Sequence, residues 1–330
     1  MNTNPDADRR RFALRSLALA SSGLLPLASR ATATWPNRPV RLVVGFPGGS
    51  TPDMVARTLA DPLAQMLGQP VIVENKPGAS GNIAADQVAK ATDGHTLGIF
   101  INGNLTSARL LNSKLPYDPA RDFSYLSLLT TAPMVLVAPG NAPGGAAFFA
   151  EAVRQGERWN YGSVGHGTVA HLGIELLKTR VPGLKAVHVP YNGNPAVVTA
   201  LIRGQLQMAL MAPGAAIPQA KVGKLRVIGL TTSGRSALAP EVQPLSAAGV
   251  QDFNLEVWNA LIGPASLPTQ AQEKIVQALG PVLKSGAVRQ RLFQQGWHVV
   301  GLSPEGLKQR VQQETLLLGD IIRKQNIRLE

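Results

Sequence analysis

What most constrains this chain is a repeated order of apolar run, glycine-rich turn and amphipathic stretch that begins at Val40. Residues 40–45 (VRLVVG) are too short for a helix and have the length of a buried strand. Gly48-Gly49-Ser50-Thr51-Pro52 turns the chain, and residues 53–67 place Met54, Ala56, Leu59, Leu63 and Leu67 at helical spacing. Thr51 before Pro52 predicts an N-cap, because a proline at the first helical position loses nothing by lacking an N–H. Strands are predicted over 71–74 and Thr96–Ile101, with a helix over 83–90 between them. Strand–helix–strand units of this spacing call for an α/β fold, with a parallel sheet and crossover helices.

The same order continues, with strands predicted near 134–138, Asn160–Ser163, 186–190, 208–210 and Leu225–Leu230. Helices are predicted near 169–179, 195–203, 270–284, 286–295 and 303–323. A chain of 330 residues exceeds one ordinary core and suits two domains. The strongest linker signal is Pro139-Gly140-Asn141-Ala142-Pro143-Gly144-Gly145, and a weaker break lies in an extended segment over 255–264 that ends in Gly263-Pro264. Two crossings predict one lobe from 34–138 plus 258–330 and a second from 139–257, hinged at 139–145 and near Val257.

Residues 1–33 read as an export signal. Arg9, Arg10, Arg11 and Arg15 form a basic region, a mild apolar stretch follows, and Ala31-Thr32-Ala33 supplies a small-x-small cleavage site. The triple arginine resembles the twin-arginine pattern, and the general secretory route stays open beside it. No cysteine is present, which excludes disulfides, thiolate metal sites and a lipidated N-terminus. The formal charge of +12 invites a polyanion, but no dense basic run exists and aromatic residues are only 5%, so nucleic acid is not an expected partner.

Catalytic signatures are missing: no Gly-x-Ser-x-Gly elbow, no Walker loop, no Gly-x-Gly-x-x-Gly after the first strand. His171 and Glu175 are helix-spaced with His166 nearby, yet a solvated polar face explains them as well, and neither metal nor cofactor is expected. Two loops each open a helix. The first holds Phe46, Gly48, Gly49, Ser50, Thr51 and Asp53; the second holds Ser163, Gly165, His166, Gly167, Thr168 and, one turn on, His171. Glycines admit a close ligand and first-turn N–H groups attract an anion, so hydroxyls and backbone could hold a carboxylate without Lys or Arg. On spacing alone each loop is also compatible with an ordinary capped turn.

From Trp35 onward the chain resembles the Bug/TctC family, the extracytoplasmic solute receptors of tripartite tricarboxylate transporters. The resemblance is carried by Trp35-Pro36-Asn37-Arg38-Pro39-Val40-Arg41, by Gly48-Gly49-Ser50 with Asp53, and by Gly68-Gln69-Pro70-Val71-Ile72-Val73-Glu74-Asn75-Lys76-Pro77-Gly78-Ala79. Asp93-Gly94-His95-Thr96-Leu97, Leu115-Pro116-Tyr117-Asp118-Pro119, Val189-Pro190-Tyr191 with Gly193, and Gly263-Pro264-Ala265 continue it in order. It implies a two-lobed Venus-flytrap fold of the periplasmic-binding-protein type II kind, whose two helix-opening loops hold a ligand carboxylate. The chain departs from the family pattern at Met211, where an acidic residue is frequent, and at Asn102-Gly103-Asn104, whose amides are expected to read a polar end of the ligand. The Pro52 insertion is expected to reshape the first loop.

The resemblance therefore implies a monomeric periplasmic receptor, without catalytic activity, that passes a small carboxylate to membrane permease subunits. A receptor feeding a signalling ectodomain is the alternative; an enzyme on the same scaffold would need a nucleophile–base pair in the cleft, and a ligand-free module would show a filled one.

Overall fold

The computed structural model describes residues 35–324, 326 and 327. The expected export signal lies outside them. Among the described residues no helix is long and apolar enough to cross a membrane.

The first part of the chain runs β1 (Val40–Val44), α1 (Thr51–Leu67), β2 (Val71–Asn75), α2 (Asn82–Ala89), β3 (Thr96–Ile101), the short α3 (Asn102–Leu105) and α4 (Ser107–Leu111), then β4 (Phe123–Pro133). The middle comprises β5 (Val135–Pro139), α5 (Gly145–Gln155), β6 (Asn160–Ser163), α6 (Val169–Arg180), β7 (Val187–Pro190), α7 (Asn194–Ile202), β8 (Met208–Met211), α8 (Pro213–Lys221) and β9 (Leu225–Leu230). The chain ends with β10 (Glu256–Pro264), α9 (Thr269–Lys284), α10 (Gly286–Gln294), β11 (His298–Leu302) and α11 (Pro304–Lys324).

Two sheets result. One has six strands in the order β11-β4-β10-β3-β1-β2; the other has five, in the order β7-β6-β8-β5-β9. β1 runs parallel to β2 and β3, and β6 parallel to β7 and β8, as the strand–helix units predict. Neither sheet is wholly parallel. β10 is antiparallel to β3 and β4, and β5 is antiparallel to β8 and β9. These are the two strands that receive the chain as it passes from one sheet to the other, and each enters the middle of its new sheet.

Strand alternation buries both faces of each sheet. In the first, Leu42 and Val44 pack with Val55, Leu59 and Leu63 of α1 and Ile275 of α9, while Val43 faces Ala84, Ala85 and Val88 of α2. In the second, Leu136 packs with Phe148 of α5 and Leu172 of α6, while Val135 and Val137 face Val197 and Leu201 of α7.

The crossings differ from expectation. The chain leaves the first sheet at Met134, because β4 passes straight into β5. The Pro139–Gly145 stretch is thus no hinge: it ends β5 and opens α5 inside the second lobe. A proline- and glycine-rich stretch marks a break in regular structure, and here that break is an ordinary strand–helix turn. The return falls between Thr231 and Leu255, and β10 already pairs with β4 from Glu256. Thr231 ties both crossings together: its hydroxyl accepts from the Met134 N–H at 2.9 Å and donates to the Leu255 carbonyl at 2.6 Å. Helix α11 adds a third connection. Leu307 and Val311 belong to the first lobe's core, whereas Leu318, Ile321 and Ile322 belong to the second's.

Candidate ligand-binding cleft

Between the two sheets lies a narrow cavity of ≈ 40 Å³. Six of the expected residues line it: Phe46, Ser50, Thr51, Asn102, Thr168 and Met211. None of its lining residues carries a charge. Four helix starts reach it instead: Ser50, Thr51 and Pro52 of α1, Thr168, Val169 and Ala170 of α6, Gly193 and Asn194 of α7, and Ala212 ahead of α8. Their first-turn N–H groups lack intrahelical partners, and their dipoles turn positive ends to the same space.

The hydroxyls at the N-caps of α1 and α6 behave differently. Thr168 is the N-cap of α6, its hydroxyl accepting from the His171 N–H at 3.4 Å and donating to the Gly165 carbonyl at 2.8 Å. Its proton is therefore already engaged within the loop. The first cap falls at Ser50, one residue before the expected Thr51, with Pro52 in the first turn. The Ser50 hydroxyl makes no cap bond and is buried without a partner. Among the described residues it is the one lining hydroxyl that is both fully buried and without a partner.

Several expected residues support the site without lining it. Asp53 is buried and accepts from the Gly49 N–H at 2.8 Å, from Arg57 at 3.0 Å and from Asn75 at 2.8 Å. Burial alone would raise its carboxyl, but the Arg57, Asn75 and Gly49 donors outweigh that and hold it below its ordinary value. Gly48 and Gly49 are exposed. Asn104 donates to the Ser80 carbonyl and to Asn82, pinning that turn rather than reading a ligand. Ser163 closes its own loop, donating to the Gly165 carbonyl at 2.9 Å and lying 2.7 Å from His188 Nε2. Gly165 and Gly167 sit on the lobe boundary: a Cβ at Gly165 would fall 2.2 Å from Ser80 Oγ, and the Gly167 carbonyl accepts from Ser107 at 2.5 Å.

His166 and His171 also lie outside the lining, beside His188, with one ring nitrogen of each within 4.8 Å of the others. Glu175, the helix-spaced candidate, instead accepts from Tyr161 and pairs with Lys178 at 2.7 Å. The His171 Nδ1 accepts the Gly167 N–H at 3.1 Å, so a neutral ring keeps its proton on Nε2 and offers no lone pair to a metal there. Burial lowers the His171 pKa to about 4 and that of His188 to about 3.

Sequence reasoning missed Met134 and Val257, which line the cavity at the crossings, and the Gly193-Asn194 start of α7. A signal for α7 was present. Pro52, Pro195 and Pro213 each fall in the first two positions of a helix that reaches the cleft.

Two α/β lobes closing on an uncharged, donor-rich cavity define a solute-binding protein. The chain belongs to the tripartite tricarboxylate transporter family receptors (TctC), whose pattern matches residues 55–327. A UPF0065 protein of Bordetella pertussis is 32% identical over 312 residues, covering 93% of this chain and 95% of its own length. Among solved structures, MatC from Rhodopseudomonas palustris with bound malate superposes at TM-score 0.82 and 31% identity, covering 87% of this chain and 100% of MatC. An R. palustris protein with adipate gives 0.85 at 29%, covering 89% and 99%, and the periplasmic binding protein BugD gives 0.84 at 26%, covering 90% and 100%. The family is one of solute receptors, not of enzymes.

Proposed function

We propose that this receptor is exported to the periplasm, closes on a small carboxylate, and presents it to the membrane subunits of a tripartite transporter. The observation that carries the carboxylate is the convergence of four helix starts and the unpaired Ser50 hydroxyl on a cavity without Lys or Arg. A carboxylate there is met by backbone donors at fixed positions, with no flexible side chain to order. Met211 and the rest of the lining supply no acid, so the ligand needs no ammonium group. MatC and the R. palustris neighbour, with malate and adipate, agree with a carboxylate ligand, and the family supports delivery to a permease.

Thermal-shift measurement against acids and their primary amides tests the reading. A bound acid at 100 times its dissociation constant stabilises the protein by about 2.7 kcal/mol. Equal stabilisation by an acid and its amide would sink the carboxylate. Delivery is tested by reconstituting uptake with the permease subunits, where dependence on this receptor is expected.

A further inference from the structure

Asn102 opens α3 at the end of β3, is wholly buried, and lines the cavity. Its Nδ2 donates to Glu314 Oε1 at 2.6 Å and to the Glu256 carbonyl at 3.2 Å. Both partners are acceptors, so the amide nitrogen must face them and Oδ1 must face the other way. That Oδ1 is buried and has no hydrogen-bond partner. Glu314, on α11, is itself held from behind: Oε2 accepts from Trp258 Nε1 at 2.6 Å and from Arg310 at 3.4 Å. Arg310 in turn pairs with Glu256 at 3.0 Å.

We infer that this relay fixes Asn102 as a hydrogen-bond acceptor toward the cleft, and that the cleft therefore selects carboxylates bearing a hydroxyl, which donates to Asn102 Oδ1. The inference rests on the carboxylate reading above and sharpens it. A second carboxylate group offered to Oδ1 would set acceptor against acceptor, and an unsubstituted methylene would leave a buried acceptor unpaired, which is costly. An ammonium group would also donate, but no lining residue offsets its charge. Ser50, the other lining side chain with a fully buried unpartnered polar atom, can donate or accept and so imposes no such choice.

Glu314 stands behind Asn102 and does not itself line the cavity, which makes it a positioning residue with a distinctive test. In Glu314→Gln the Trp258 and Arg310 donors keep the amide oxygen at the Oε2 position. The new NH2 then faces the Asn102 NH2, donor against donor, while a turned carboxamide would set Oδ1 against the Glu256 carbonyl, so either orientation loses a bond that fixes Oδ1 toward the cleft. The preference for a ligand donor should then weaken or invert, although the volume of the site is unchanged.

Titration calorimetry would compare three pairs differing by one hydroxyl: malate with succinate, 2-hydroxyadipate with adipate, and mandelate with phenylacetate. In the pair that binds, the hydroxy acid is expected to bind about tenfold more tightly, the scale of leaving a buried acceptor unpaired. Glu314→Gln should erase or invert that ratio, and Asn102→Leu should erase it. Equal affinities within the binding pair in the native protein would overturn the inference while leaving the carboxylate reading intact. A ratio unchanged in a folded Glu314→Gln protein would overturn the relay. Binding of none of the six acids would overturn the carboxylate reading itself, and the inference with it.

Discussion

The Ser107 hydroxyl, on the first lobe, donates to the Gly167 carbonyl, on the second, across 2.5 Å in a buried position. Ser107 stands in the short α4 and Gly167 in the loop that opens α6, so the bond exists only when the lobes are together. On the closure proposed above, it stabilises the closed form and contributes nothing to an open one. Ser107→Ala should therefore favour opening by about 0.5–1.5 kcal/mol. Ligand affinity should fall about two- to tenfold by calorimetry, mostly through faster release, and the cavity lining would be untouched.

A sharper block on closure is available at Gly214. A Cβ built there would lie 1.8 Å from the Gln295 carbonyl oxygen and 3.3 Å from the Gly296 nitrogen. Gly214 is the second residue of α8 on the second lobe, and Gln295 follows α10 on the first. Alanine suits a helix, so Gly214→Ala should leave each lobe folded but wedge them apart. Small-angle scattering should show a radius of gyration that shrinks on ligand addition in the native protein and stays large in the variant. Equal compaction of both would show that the two backbones can slide past one another.

Legibility followed burial pattern. The strands β1, β3 and β9 could be read because short apolar runs bounded by glycine or polar turns have few alternatives, and β6 (NYGS) from its place in the alternating order. The two-lobe plan was legible as well, but not where the chain crosses. Nothing local distinguishes Met134, a buried methionine between Pro133 and Val135, from the interior of one long strand. What makes it a crossing is that Phe123–Pro133 pairs with β10 and Val135–Pro139 with β8 and β9, a long-range choice. Helix α5 was hidden because its first residue is the glycine that ended the supposed linker. In the site, the helix-opening loops were found from glycine and hydroxyl content. The unpaired atoms, Ser50 Oγ in the first loop and Asn102 Oδ1 after β3, were not, because the orientation of Asn102 is set by partners 154 to 212 residues away.

Acid should loosen the second lobe before its carboxylates titrate. Burial is the largest cause lowering His171 to about 4 and His188 to about 3, from an ordinary 6.5, with the neighbouring His166 and Lys178 adding repulsion and Glu175 opposing it at His171. Between those values and 6.5 the unfolded chain binds protons that the folded one refuses, so stability rises with pH through that window and is level above it. The midpoint of urea unfolding should fall steadily from about pH 6.5 to about pH 5, above the carboxylate range. His188→Gln removes one of the two groups and should flatten the slope. A midpoint constant from about pH 7.5 to about pH 5 would mean that these rings are protonated without cost.

Ser50 and Thr168 open two helices that face one cavity, and the structure predicts opposite consequences for removing their hydroxyls. The Thr168 hydroxyl caps α6 and donates inside its own loop, so Thr168→Ala should cost about 0.5–2 kcal/mol of stability. Its effect on affinity should be small, because the hydroxyl proton is already engaged with Gly165. Thr168→Ser keeps both bonds and should restore the stability. The Ser50 hydroxyl caps nothing and lies unpaired beside the cavity, so Ser50→Ala should leave the melting temperature nearly unchanged without ligand, or raise it slightly. It should weaken binding of a carboxylate about two- to tenfold, the net loss of one hydrogen bond. Paired melts and calorimetry on the two alanine variants separate the roles. If Ser50→Ala lowers stability while affinity holds, and Thr168→Ala does the reverse, then the donor that meets the ligand belongs to α6 and the cap to α1.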